Sequence, residues 1–256
     1  MHGRVWRETV VPLIVGVAVV AALVGSGVIS PHRSSGALES FGQAVASSAQ
    51  AASLQLGSSW ATVGAIGFDD RAGTSLSAED LTAYLGPNCT ATPLLGGIAL
   101  PALVIPPFGG SFGSGLAPVW IVLLVSSGLG STVVVEVADG AATPVAEVGG
   151  SGCALSPGSV PTLPSNTVDS PVVAGAAWND LGKSWVAVEP NLTTLTLVAF
   201  AGGSFQGFET AGLWATVYSP CNPLVGGPNV QTALLAAFNL TDGTLTGSTT
   251  HAVDCP

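Results

Sequence analysis

Residues 52–60 read ASLQLGSSW and residues 177–185 read AWNDLGKSW. Ala52, Leu56, Gly57, Ser59 and Trp60 thus match Ala177, Leu181, Gly182, Ser184 and Trp185 at one fixed offset, and Ala49 and Ala51 match Ala174 and Ala176. Alanine-rich sequence propagates a helix, and glycine takes the left-handed conformation just past its end. The pair therefore predicts two helix ends. The first helix is expected from about Ser35 to Leu56. The second starts at Asp169 or Ser170, with Pro171 in its first turn, and stops at Gly182. Each tryptophan then opens an extended run, WATVGAIGF in one copy and WVAVEP in the other, with Trp60 and Trp185 as packing residues at the junctions.

A second echo lies further along. STVVVEVADGAATPVAEVGGSGC ends at Cys153, and TALLAAFNLTDGTLTGSTTHAVDC ends at Cys255. In both, Asp-Gly separates two extended runs, a strong hairpin signal, at Asp139-Gly140 and at Asp242-Gly243. Each half holds one earlier cysteine, Cys89 or Cys221. The stretches APVWIVLLVSSG and LTTLTLVAF read as buried strands. The long PLLGGIALPALVIPPFGGSFGSGLAP, present in one half only, reads as an apolar loop lying on the sheet. The expected fold class is therefore α+β: an N-terminal transmembrane helix, then two related, duplicated subdomains. Each subdomain is a helix packed on an antiparallel β-sheet with a DG hairpin. The boundaries are 1–9 (cytoplasmic), 10–30 (transmembrane), 31–155 (first repeat), 156–168 (linker) and 169–256 (second repeat).

The compartment is read from the N-terminus. Val10 to Ile29 carries no charge, long enough as a helix to cross a hydrocarbon core of about 30 Å. Arg4 and Arg7 precede it and orient the N-terminus inward. Residues 10–30 are thus expected in the lipid bilayer as a signal anchor, with the C-terminal bulk extracytoplasmic. A cleaved signal peptide ending near Gly25-Ser26-Gly27 is the competing reading. The basic residues, Glu8, the long apolar stretch and the following ALESFGQAVASSAQAASLQLG resemble the start of type IV pilin-like subunits. That resemblance implies processing before the apolar helix and assembly through it. Arg7 stands where that family carries a small residue.

The cysteines agree with export. Cys89, Cys153, Cys221 and Cys255 are even in number, follow the apolar stretch and lack C-x-x-C spacing, which suits disulfides rather than zinc or thioredoxin chemistry. Of three connectivities, the repeat selects Cys89–Cys153 and Cys221–Cys255. Asn88, Asn191 and Asn239 fit the N-x-S/T pattern of glycosylation acceptors.

The 256 residues carry a net charge of −10, with 48% hydrophobic and only 8% charged residues. Beyond residue 30 the basic side chains are Arg33, Arg71 and Lys183. That excludes a nucleic-acid partner, which needs clustered Lys and Arg. Chemistry-bearing motifs are sparse. His2, His32 and His251 show no paired metal spacing, no G-x-S-x-G elbow occurs, and the glycine-rich stretches lack a G-K-[ST] ending. No cofactor is implied. Lys183 reads as a helix-end residue, and His251 and Asp254 would face opposite sides of a strand. FDDRAGTSLSAED reads as a solvated turn at Asp69-Asp70 leading to a short capped helix that begins at Ser75 or Ser77. Trp178, on the second helix, is the candidate for stacking against a ligand. The functional expectation is a non-catalytic, membrane-anchored surface module that binds an envelope protein or glycan, or builds the envelope. The alternatives are a pilin-like assembly subunit and a secreted hydrolase using convergent carboxylates.

Overall fold

The runs VWIVLLVS and TLTLVAF are apolar or small at nearly every position rather than alternately, as in a strand covered on both faces. Residues 119–126 and 194–200 are indeed strands buried along their whole length. The computed structural model describes residues 37–71, 73–76, 88–94, 103–105, 107, 111–153, 155–158, 160–189, 191–202, 204–205, 208–209, 212–225 and 227–256. The chain runs α1 (Phe41–Leu56), β1 (Ala61–Asp70), β2 (Thr74–Leu76), β3 (Thr90–Pro93), β4 (Leu103–Ile105), β5 (Val119–Ser126), β6 (Ser131–Ala138) and β7 (Ala141–Gly149). There follow α2 (Ser170–Ala177), a π-helical turn (Trp178–Gly182), α3 (Lys183–Val188), β8 (Thr194–Phe200), β9 (Ser204–Phe205), β10 (Phe208–Glu209), β11 (Leu213–Ser219), β12 (Asn229–Asn239) and β13 (Leu245–Cys255). One nine-stranded sheet, in the order β13-β12-β11-β8-β1-β5-β6-β7-β3, dominates, and every pairing in it is antiparallel.

This sheet corrects the expected α+β arrangement of two subdomains. β1 of the expected first repeat and β8 of the expected second pair with each other from Gly64↔Phe200 to Asp70↔Thr194. Separating them would leave two long strand edges unpaired and their buried side chains open to water, so one continuous sheet is the stable solution. Among the described residues helices are few, and all the described elements lie in one compact unit, Gly36–Pro256. Outward from the β1–β8 junction the strands follow chain order on both sides: β1-β5-β6-β7 and β8-β11-β12-β13. The stretches expected as a cytoplasmic tail (1–9) and a transmembrane helix (10–30) lie outside the described residues. Among the described residues no helix is long and apolar enough to cross a membrane.

Each face of the sheet has its own core. On one, Phe41, Ala44 and Ala52 of α1 and Val173, Ala174 and Ala177 of α2 pack over Trp120, Val122, Leu197, Trp214 and Tyr218. On the other, Leu76, Ile105, Leu155 and the cysteines cover Val63, Ile66, Phe68, Ile121 and Val198. The disulfides are Cys89–Cys153 and Cys221–Cys255, with no free cysteine among the described residues. They hold the loop layer, to which the described residues contribute strands and turns.

The helices are set by their caps. α1 starts at Phe41, not near Ser35, because Ser40 and Gln43 form a capping box: Ser40 N donates to Gln43 Oε1 (2.9 Å) and Gln43 N to Ser40 Oγ (3.4 Å). Gly57 ends it at φ 74°. The N-termini of α1 and α2 meet and share acceptors. Asp169 Oδ1 accepts from Ser170 N (2.9 Å) and from Gly42 N (2.8 Å). Ser170 Oγ accepts from Phe41 N (2.8 Å) and donates to the Gly115 carbonyl (2.6 Å). Two positive helix ends thus converge on one carboxylate and one hydroxyl.

Two local expectations also change. WVAVEP is not a strand: the helix continues past Gly182 as α3. Ser75 lies in β2, paired with Val104 of β4, so no helix starts there, and residues 77–87 lie outside the described set. The residues expected as a linker are tied down, since Leu163 N donates to Thr62 O and Val168 N to Leu240 O, each at 2.7 Å.

Candidate functional site

Along β1, side chains alternate between the two faces. Ala65 faces the helices and Phe68 the loop layer. Asp69 therefore lies on the helix side, beside Leu195 of β8, whose other neighbour is Tyr218 of β11. Asp70 lies on the loop side. There its carboxylate accepts from Gly73 N at 3.0 Å and from the Thr74 hydroxyl. The pair expected as a solvated turn is thus the buried end of a strand, with Asp69 only 2% exposed. Carboxylates are rarely fully buried, which is why the sequence pattern pointed the other way.

Asp69 sits without a hydrogen-bond partner on either oxygen. Burial pushes its carboxyl up to about 7, with the Arg71 guanidinium opposing the rise and the Asp70 carboxylate adding to it. The Tyr218 hydroxyl is likewise buried and unpartnered, and burial raises its pKa. Leaving such groups unpaired costs about 1–3 kcal/mol each, so their presence calls for a role.

Around them stands an aromatic cluster. Phe112, from the glycine-rich loop, is edge-on to Trp178 at 6.1 Å and 63°, and edge-on to Tyr218 at 6.1 Å and 86°. The exposed Arg71 places its Cζ 4.0 Å from the Phe112 ring centroid. The π-helical turn carries Trp178 at its start and Gly182 at its end. A Cβ on Gly182 would lie 2.7 Å from the Tyr218 hydroxyl and 2.8 Å from Trp178 Cε3. Glycine is there for close approach rather than for a left-handed turn, and so the helix does not end at it. Gly113 is comparable, since its Cβ would come 2.9 Å from Trp178 Cδ1. π-turns inside α-helices are often found at functional sites.

The arrangement joins a buried carboxyl that holds its proton to near neutrality, a phenol, a three-ring aromatic wall and a guanidinium at the surface. Asp69, Phe112 and Tyr218 are buried, so the faces it offers to solvent are the Arg71 guanidinium and the half-buried Trp178 ring. It does not place two carboxylates side by side, because Asp69 and Asp70 face opposite ways. Trp178, the stacking candidate from the sequence, is half-buried here, and the sequence singled out neither Phe112 nor Tyr218 and placed Asp69 in a solvated turn. The signal for Asp69 was its place at the end of an uninterrupted apolar strand.

The remaining candidates are dispersed. Asn88 and Asn191 are exposed, while Asn239 is half-buried and its Oδ1 accepts from the Thr241 amide and hydroxyl, both at 2.8 Å. Lys183 Nζ donates to Asn179 Oδ1 (2.9 Å) on the exposed side of the π-turn. His251 and Asp254 lie three residues apart on β13 and face opposite sides. No group of three or more potential metal ligands occurs among the described residues. Trp60 and Trp185 are half-buried against the helix-side core, and Trp60 Nε1 donates to Gly57 O (2.9 Å). Compared with known proteins, the chain matches no family model, no curated protein and no solved structure, so its site rests on its own geometry.

Proposed function

We propose that this chain is an exported, non-catalytic binding module of the cell envelope, whose ligand meets it at Arg71 and Trp178, the accessible edge of the cluster backed by Phe112 and Tyr218. The observation that carries the reading is the Phe112–Trp178–Tyr218 cluster at a π-turn beneath an exposed guanidinium, with the unpartnered Asp69 carboxyl buried two strands from Tyr218. Such a constellation is costly to fold around, and binding a polar, flat-faced group such as a sugar ring offsets the cost. The two disulfides support an oxidising compartment, and the apolar run at 10–30 supports a route there with contact to the lipid bilayer. The opposed orientation of Asp69 and Asp70 argues against paired-carboxylate hydrolysis at this place.

The test has two parts. Protease added to intact cells is expected to remove the disulfide-bonded bulk of the chain, and protection from it would contradict export. Titration of the purified full chain with soluble fragments of envelope glycan is expected to change its tryptophan fluorescence, and Trp178→Ala is expected to remove that response. Turnover of a chromogenic glycoside, lost in Asp69→Asn, would overturn the non-catalytic reading.

A further inference from the structure

The sheet treats its two outer strands differently. On the first side, the edge of β7 is covered by β3, antiparallel from Thr90↔Gly149 to Pro93↔Ala146. The Cys89–Cys153 disulfide pins the chain just before it. β3 offers little to a further strand, being four residues long and ending on a proline. On the second side, β13 holds the place that β7 holds on the first. Among the described residues no strand lies outside β13.

β13 is eleven residues long, and Leu245 to Thr250 are all exposed. Folded proteins blunt such edges with lysine, proline or inward charges. The stretch Leu245–Val253, LTGSTTHAV, contains no Lys, Arg, Asp, Glu or Pro. One irregularity, at Thr246, lies near its beginning and leaves the rest regular. The same hairpin carries two exposed apolar side chains, Leu245 (40%) and Val230 (68%).

We propose that β13 is a pairing edge and that its occupant is β13 of a second copy of this chain, antiparallel, about a twofold axis at Thr249. The net charge of −10 makes two copies repel wherever carboxylates meet. Along Leu245–Val253 no carboxylate opposes the approach. The twofold places Thr249 opposite its own copy, Ser248 opposite Thr250, Thr246 opposite Ala252 and Leu245 opposite Val253, so no pair sets charge against charge. Antiparallel pairing continues the only strand direction rule the sheet uses, and an isologous contact closes at two copies. The strand is already ordered, so pairing adds little ordering cost to the translational and rotational freedom that any association gives up.

The experiment uses the full chain in detergent micelles, followed by sedimentation velocity and by non-reducing electrophoresis of single-cysteine variants. Wild type is expected to sediment as a dimer. Thr249→Cys, which faces its own copy at the axis, is expected to cross-link, and Ala176→Cys on α2 is not. Thr249→Lys, which brings two ammonium groups together at the axis, is expected to raise the dimer dissociation constant about tenfold or more with unchanged circular dichroism. A monomer at all concentrations, as when residues of the same chain fill the edge, overturns the proposal. So does a dimer that survives Thr249→Lys and does not cross-link through β13, which locates association elsewhere.

Discussion

Asp69 is the residue where burial and charge conflict most openly. Its folded pKa of about 7 lies above the unfolded value of 3.8, so the folded state holds a proton that the unfolded state has lost. Its contribution to stability is fully present below about pH 4 and is lost as pH rises through about 7. The melting temperature should therefore fall between pH 4 and 8, by an amount on the order of 2–4 kcal/mol in stability. Asp69→Asn should flatten that slope in thermal melts. A slope unchanged in the variant would show that other groups cause it. Gly182 tests the packing nearby. Gly182→Ala drives a methyl into the Tyr218 phenol and the Trp178 ring and should cost about 1–3 kcal/mol in urea unfolding. The matched Leu-Gly of the two halves suggested one role for both glycines. Gly57 has it, at φ 74°, whereas Gly182 is helical at φ −61° and serves close packing. A sequence match cannot separate those two uses, because glycine is selected for missing bulk in both.

At the scale of elements, the shared cap at Asp169 joins two helices that are far apart in sequence. Asp169→Ala removes acceptors from both N-termini and should lower stability by about 1–2 kcal/mol, with Asp169→Asn restoring most of it. Urea midpoints of the three proteins check this. The β6–β7 hairpin is equally specific. Asp139 and Gly140 have φ of 53° and 76°, the left-handed pair that a two-residue hairpin turn requires. Gly140→Val should cost about 1–2 kcal/mol. These signals were legible: Asp-Gly between extended runs, Asp169-Ser170-Pro171 opening a helix, Gly57 closing one. Ser40-Phe-Gly-Gln was equally legible as a capping box, but was obscured by the Ala- and Ser-rich run around it. WVAVEP was misread because β-branched residues after a Leu-Gly favour a strand locally, whereas packing of the π-turn on Tyr218 keeps the chain helical.

For the whole molecule, the loop-covered face depends on covalent ties. The disulfides close loops with sequence separations of 64 and 34 residues. Loop-closure entropy makes each worth about 4 kcal/mol. Replacing either pair by serine should lower the unfolding midpoint measurably, and reduction of both should expose the apolar loop-side core to a hydrophobic dye. Cysteine pairing followed from the repeat, and strand content followed from composition. The union of the two halves in one sheet did not, because a strand buried on both faces reads the same whether its neighbours come from its own half or the other. Only the register of β1 on β8 decides it. The most direct test is nuclear magnetic resonance of the isotopically labelled chain, looking for cross-strand contacts between residues 64–70 and 194–200. One continuous sheet predicts contacts in register, with Gly67 opposite Leu197 and Asp70 opposite Thr194. Strands that pair only within their own halves, with no contacts across this junction, would contradict it.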